Sequence, residues 1–221
     1  MRLAITFFIL MFFVSCSERK QSSLDSNTIN PNKSVKLEIP DFEKSSEMIE
    51  ESKYWEIINK SFLELYKYSY QRSAIIHELL KLTPKEIVGF NLRTSKLLKD
   101  SYSSELWCAA YIMKGGCSDD GFEYFRCWLI SKGKEVFYNA IKDPDSLSEL
   151  KKKYFFDYEL EEFLYLPNEA FLKKTGKEIY DFIDNDEFCK KEGIYPQIVF
   201  NWTEESKDSR KKICPKLFKK Y

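Results

Sequence analysis

Between Gly115 and Arg126 the chain gathers most of its residues with chemical capacity: Cys117, Ser118, Asp119, Asp120 and Arg126, with Trp107 and Trp128 close on either side. Two adjacent carboxylates can act as acid and base, or hold a cation. A thiol beside a helix N-terminus gains thiolate character and becomes nucleophilic. A guanidinium can hold an anion through two parallel hydrogen bonds. Each of these has a plainer reading. Asp120 and Glu123 are spaced as a capping box, and Ser118 or Asp119 would serve equally well as the cap. A helix N-terminus also favours the ionised carboxylate, which opposes service as a general acid at neutral pH. Calcium takes about six to eight oxygens, more than this loop offers. The expectation is therefore capping first, ligand or metal binding second, catalysis third.

Arg126 is the more informative residue. At roughly 100° per residue, Phe122, Phe125, Trp128, Leu129 and Ile130 form a broad apolar arc, and Arg126 falls inside it. A guanidinium there must meet a carboxylate, backbone carbonyls or a bound anion, because an unpaired buried charge is prohibitive. An internal ion pair with Asp119 or Glu105 is the first expectation, and an anion-binding role the second.

No complete catalytic set accompanies these residues. His77 is the single histidine and lies forty residues before Cys117. It is also the one base that Ser118 could use. Gly115-Gly116 lacks the Gly-Lys-Ser continuation of a phosphate loop. Six cysteines stand at 16, 108, 117, 127, 189 and 214, with no Cys-x-x-Cys pair, so no zinc site, other metal site or cofactor is expected. A disulfide, for instance between Cys189 and Cys214, becomes available only after export. The expected catalytic set is empty, and Asp119, Asp120, Arg126, Cys117, Ser118, Trp107 and Trp128 stand as candidate ligand-binding residues.

The elements that position them begin with an address. Arg2 is followed by Leu3 to Val14, twelve residues with Thr6 the one polar interruption. That is too short to span a bilayer and suits a signal-peptide core. Phe13-Val14-Ser15-Cys16 resembles the lipobox of bacterial lipoproteins, in which a small residue precedes the modified cysteine. The resemblance implies removal of residues 1–15 and acylation of Cys16 by chains such as palmitate. The protein would then be held at a membrane of the cell envelope, facing away from the cytoplasm. Residues 16–40 read as a flexible tether rich in Ser, Asn, Lys and Pro, about 25–30 Å in mean span.

Residues 41–221 read as one all-α domain of seven or eight helices. Trp55, Ile58, Phe62 and Leu65 recur at helical spacing. Thr83-Pro84-Lys85-Glu86 is a helix start with a capping box, and Ile87, Phe90, Leu97 and Leu98 follow on one face. Gly89 within that helix costs about 1 kcal/mol against Ala and implies a close neighbour. Further helices are expected over 105–113, ending at Gly115-Gly116, over 121–132, ending at Gly133, over 136–141, cut by Asp143-Pro144, and over 167–174, ending at Gly176. Ser146 to Glu149 has capping-box spacing, and aromatic-rich helical turns are expected from Tyr154 to Tyr165. Beyond Ile179 the pattern fades, apart from a last turn near Ile213 to Phe218.

Leu106-Trp107-Cys108-Ala109-Ala110-Tyr111, then Gly115 through Phe122, Tyr124-Phe125-Arg126, Trp128-Leu129-Ile130, Gly133 and Asp143 through Leu147 together resemble the domain of unknown function 4240 family, a bacterial group. The resemblance extends from Tyr54-Trp55 to Pro215-Lys216-Leu217 and includes Ala170, Thr175 and Gly176; it implies a mainly helical domain and supplies no activity.

Lys plus Arg and Asp plus Glu are 35 each, so no global charge recruits nucleic acid. The basic stretch Lys207 to Lys220 reads as a solvated helix face, with contact to anionic lipid headgroups as the alternative. The functional expectation is a membrane-anchored binding module meeting an envelope protein or small ligand. The alternatives are an envelope hydrolase using Asp119 or Asp120 with Arg126, and an immunity-type or structural protein.

Overall fold

A computed structural model describes residues 37–63, 68–150 and 158–221. The expected leader, Cys16, most of the expected tether, Leu65 and residues 154–157 lie outside the described residues. Among the described residues the fold is all α: α1 Glu51–Leu63, α2 Tyr68–Leu79, α3 Pro84–Asp100, α4 Ser104–Lys114, α5 Asp119–Ile130, α6 Lys134–Lys142, α7 Leu166–Thr175, α8 Asn185–Glu192, α9 Lys207–Ile213 and α10 Pro215–Lys220. The count exceeds seven or eight because the C-terminal third folds into three short helices.

Local chemistry starts and stops these helices. Thr83 Oγ1 accepts the Glu86 N–H at 3.3 Å, and the Glu86 carboxylate accepts the Thr83 N–H at 2.9 Å, so the capping box over α3 is complete. α4 ends at Gly115, whose φ of 75° lies in the left-handed region that closes helices. The box expected at Ser146 does not form. Asp143 caps a 3₁₀ turn over Pro144–Glu149 instead, its Oδ1 accepting the Asp145 N–H at 3.1 Å. Pro144 sets the start three residues early, because its ring already fixes a helical φ.

α1 pairs with α2, α2 and α3 pack on α7, and α5 lies against α3, α4 and α6. α9 and α10 dock on α4. The interior is aromatic: Tyr54, Phe90, Phe122, Phe125, Phe137, Phe163 and Phe171 are fully buried. Burying each such ring stabilises the fold by about 1.5–3 kcal/mol. Gly89 has the close neighbour its position implies. Ile49 N donates to the Gly89 carbonyl at 3.0 Å, and a Cβ on Gly89 would stand 2.7 Å from that same nitrogen. An extended arm before α1 thus crosses α3 at backbone distance. The arm joins the body from Glu38 onward, whose N–H donates to the Lys174 carbonyl at 2.9 Å. A single bridge between Ser45 and Ile183 ties the arm to the chain before α8.

The structure does not bring Cys189 to Cys214. Cys189 is exposed on α8, whereas Cys214 is buried between α9 and α10.

Candidate functional site

The site is built around the C-terminal end of α3. The last carbonyls of a helix lack intrahelical partners and carry partial negative charge. Ser101 Oγ donates to Leu97 O at 2.8 Å and Leu98 O at 3.1 Å. Arg126 reaches the same place from α5. Its Nη1 donates to Leu98 O at 2.5 Å and its Nε to Phe122 O at 3.2 Å. Its guanidinium carbon stands 4.8 Å from the ring centroid of Phe122, 5.0 Å from Tyr102 and 5.7 Å from Tyr195.

Arg126 is 3% exposed, as the apolar arc implies. Among the described residues no carboxylate pairs with it, so the expected ion pair with Asp119 or Glu105 is absent. The Glu105 carboxylate accepts the Asn201 amide at 2.7 Å instead. The cation is stabilised by a helix C-terminus and aromatic faces, two partners that do not cancel its charge.

Ser118 takes the cap of α5, its Oγ accepting the Gly121 N–H at 3.1 Å. The capping box expected from Asp120 and Glu123 therefore does not form. A residue inside the first turn cannot also be the cap, and both aspartates sit there, exposed to solvent. Glu123 follows one turn later on the same side. Asp119, Asp120, Glu123 and Arg126 line an open cleft of ≈ 640 Å³, with Tyr102 and the stretch Tyr195–Ile198 as its other wall. Among the described residues the three carboxylates make no ion pair and no side-chain hydrogen bond. With one guanidinium already engaged, the cleft carries a net charge of −2. Tyr195 stands edge-on to Tyr102 with centroids 5.2 Å apart. Burial raises the Tyr195 phenol above its ordinary value, with Arg126 pulling the other way. Tyr195 therefore stays neutral at physiological pH.

The other candidates fall elsewhere. Trp107 and Cys117 line a second hollow of ≈ 290 Å³ with Phe200, Trp202 and residues 203–205. The Trp107 indole N–H donates to the Cys117 carbonyl at 2.9 Å, and its ring stacks on Phe122 at 4.6 Å. Trp107 thereby braces the loop between α4 and α5. Proximity to a helix N-terminus does not make Cys117 nucleophilic. Burial pushes its thiol up to about 11, although Lys114 Nζ stands 3.7 Å away. Lys114 also pairs with Glu159 and donates to the Gly121 carbonyl at 3.3 Å, pinning this loop to the chain before α7. His77 is exposed on α2, which packs on α1 and α7, so no imidazole serves Cys117 or Ser118. Trp128 packs on Phe125 and Tyr158, with centroids 5.2 and 5.1 Å apart, and lines neither hollow.

Within the basic tail, Arg210 lies over the Tyr111 ring at 4.9 Å, and Lys220 donates to the Ser148 and Leu150 carbonyls. Lys207, Lys211, Lys212, Lys216 and Lys219 are exposed.

Sequence reasoning missed Tyr102, Tyr195 and Glu123. Glu123 was findable, lying four residues after Asp119 on the same helical face. The tyrosines come from separate parts of the chain and carry no local signal.

The fold and cleft define an all-helical domain with an acidic, aromatic-walled surface site. The chain belongs to the DUF4240 family, whose model, described as "Protein of unknown function (DUF4240)", matches residues 49–173. The tyrosine wall at 195–198 lies beyond that matched stretch. No curated protein and no solved structure matches the chain. No helix among the described residues is long and apolar enough to cross a membrane, and no group of three or more His, Cys, Asp or Glu is placed to hold a metal ion.

Proposed function

We propose that this chain is a lipid-anchored binding module of the cell envelope, and that its cleft takes a lysine or arginine side chain presented by an envelope protein. The observation that carries the binding half is the carboxylate trio, unpaired among the described residues, that lines an open, tyrosine-walled cleft. Acidic groups beside neutral aromatic faces favour an organic cation through both Coulomb attraction and ring quadrupoles. Beside the cleft, Ile194 and Val199 are 79% and 86% exposed. That apolar rim fits a cation carried on a protein surface better than a free metal ion. The anchor half rests on the leader and on Cys16.

The hydrolase reading gains less from the same geometry. Arg126 is already engaged by carbonyls, Ser118 by the helix it caps, and Cys117 is held protonated by burial. A guanidinium committed to the fold cannot also polarise a substrate without losing those contacts.

Calorimetric titration of the full chain with hexa-arginine tests the binding half. Binding is expected at low salt, weakening about tenfold in the Asp119→Asn/Asp120→Asn variant, since each exposed charge contributes up to about 1 kcal/mol. Equal affinity of that variant for hexa-arginine, or preference of the native chain for inorganic phosphate, would refute it. The anchor half is tested by the mass of the mature N-terminus, expected to begin at a triply acylated Cys16. An unmodified N-terminus in a soluble fraction would refute it.

A further inference from the structure

Two cysteines share one acceptor where the C-terminal helices dock. Cys108 lies on the inner side of α4 and Cys214 at the joint between α9 and α10, both fully buried. The Cys108 thiol donates to the Arg210 carbonyl at 3.9 Å, and the Cys214 N–H donates to the same oxygen at 2.9 Å. One carbonyl oxygen therefore touches both residues, and no element separates them. We propose that Cys108 and Cys214 form a disulfide in the exported protein, clasping the C-terminal helices to α4. The proposal rests on the envelope reading, because thiols stay reduced in the cytosol and are oxidised beyond it.

The neighbouring Cys108 thiol, together with burial, pushes the Cys214 thiol well above its ordinary range. Thiolate is therefore scarce once the helices have docked, and the bond forms before α9 and α10 close over it. An incoming disulfide, carried by an envelope oxidoreductase or as oxidised glutathione, is attacked by one cysteine thiolate and releases one thiol. The second cysteine then displaces the other half of the mixed disulfide. The two cysteines lose two electrons and two protons, and the donor disulfide becomes two thiols. Among the described residues the other cysteines have no such partner: Cys117 lies in the α4–α5 loop, Cys127 is buried in α5, and Cys189 is exposed on α8.

The bond has a consequence for the cleft. The wall at 195–198 belongs to an irregular stretch between α8 and α9, whose far end is held by α9 and α10. Fixing Cys214 to α4 fixes the end of that stretch to the helix leading into the α4–α5 loop. The same stretch is already tied to α4 by the Trp202 indole, which donates to the Ser104 carbonyl at 2.8 Å.

The test has two arms. The full-length chain, reduced and unfolded, is refolded in a reduced/oxidised glutathione buffer, trapped with N-ethylmaleimide and mapped by mass spectrometry. The peptides bearing Cys108 and Cys214 are expected to be joined, 2 Da lighter than their sum, with Cys16, Cys117, Cys127 and Cys189 alkylated. Reduction is expected to lower the melting temperature by about 10 °C in the native chain and to leave the Cys108→Ala/Cys214→Ala variant unmoved. Alkylation of both cysteines, or pairing of either with Cys189, overturns the proposal. The second arm maps the protein from cells trapped at lysis and fractionated. A joined pair in the membrane fraction supports the proposal, and separate thiols in that fraction overturn it while leaving the address intact. Protein recovered from the cytosol overturns the address instead, and the refolding arm then decides whether the pair can form.

Discussion

Replacing Arg126 with Met removes the charged head and keeps much of the apolar stem, so it isolates what the guanidinium contributes. The side chain makes two hydrogen bonds to carbonyls, at Leu98 and Phe122, and lies against three aromatic rings. A hydrogen bond from a charged donor contributes about 1.5–3 kcal/mol and a desolvated cation–ring contact up to about 2. Two effects offset this. Met avoids the cost of burying a cation and packs flexibly among the rings. Leu98 O also keeps its bond from Ser101 Oγ at 3.1 Å, so no carbonyl is orphaned there. The net loss is about 2–3 kcal/mol, or roughly 5–10 °C in melting temperature for a domain of this size. Thermal and urea unfolding followed by circular dichroism measure it, with an unchanged m-value expected. Arg126→Lys should lose about half as much, keeping the charge but not the planar fork. A Met variant melting within about 1 °C of the native protein would refute the structural role and return Arg126 to a ligand.

Asp145 is buried, and its two carboxylate oxygens accept the Lys216 and Leu217 N–H groups at 2.9 and 2.8 Å. Asp145→Ala strips the N-terminal cap from α10 and should cost about 2–3 kcal/mol. Hydrogen exchange confined to residues 207–221 should accelerate, and unchanged protection there would contradict the cap. Gly89→Ala should destabilise by about 1–3 kcal/mol despite the better helix propensity of Ala, because the new Cβ meets the Ile49 backbone. A more stable variant in denaturant titration would show that the arm yields. Cys117, pushed up to about 11, holds little thiolate at neutral pH. Its alkylation by iodoacetamide should rise about tenfold per pH unit between pH 8 and 10, and a plateau already reached by pH 8 would refute the burial argument. Glu86 is held below its ordinary value by its bond from Lys53, with burial opposing and Thr83 assisting. A lowered carboxylate contributes stability that is present above the unfolded value of 4.5 and lost as pH falls through the folded one. Glu86→Gln should therefore flatten the stability loss between about pH 5 and 3. An unchanged acid limb would contradict that contribution.

What the sequence disclosed depended on how local the cause was. α3 was legible because its start is written in four consecutive residues and its apolar face follows at helical spacing. The close approach at Gly89 was legible because glycine in a helix interior costs stability unless something needs the space. α8 and α9 were hardly legible, and α10 only as a last turn near Ile213 to Phe218, since helices of six to eight residues have little periodicity of their own. They are held by distant groups such as Asp145, some seventy residues before the helix it caps. The burial of Arg126 was legible from helical geometry, but its partners were not. A carbonyl looks the same at every position, so sequence alone favoured a carboxylate. The acidic side of the cleft lies on one helix and was half read. Its tyrosine side joins the end of α3 to a stretch beyond α8, a juxtaposition produced by tertiary packing alone.

The claim that the cleft receives a basic side chain is tested most directly by mapping amide shifts of the ¹⁵N-labelled chain as hexa-arginine is added. Shifts are expected to concentrate at Tyr102, Asp119, Asp120, Glu123, Tyr195, Gln197 and Ile198, saturating together and absent with hexa-glutamate. Shifts scattered over the surface, or centred on the exposed lysines of α9 and α10 with an anionic probe, would contradict it.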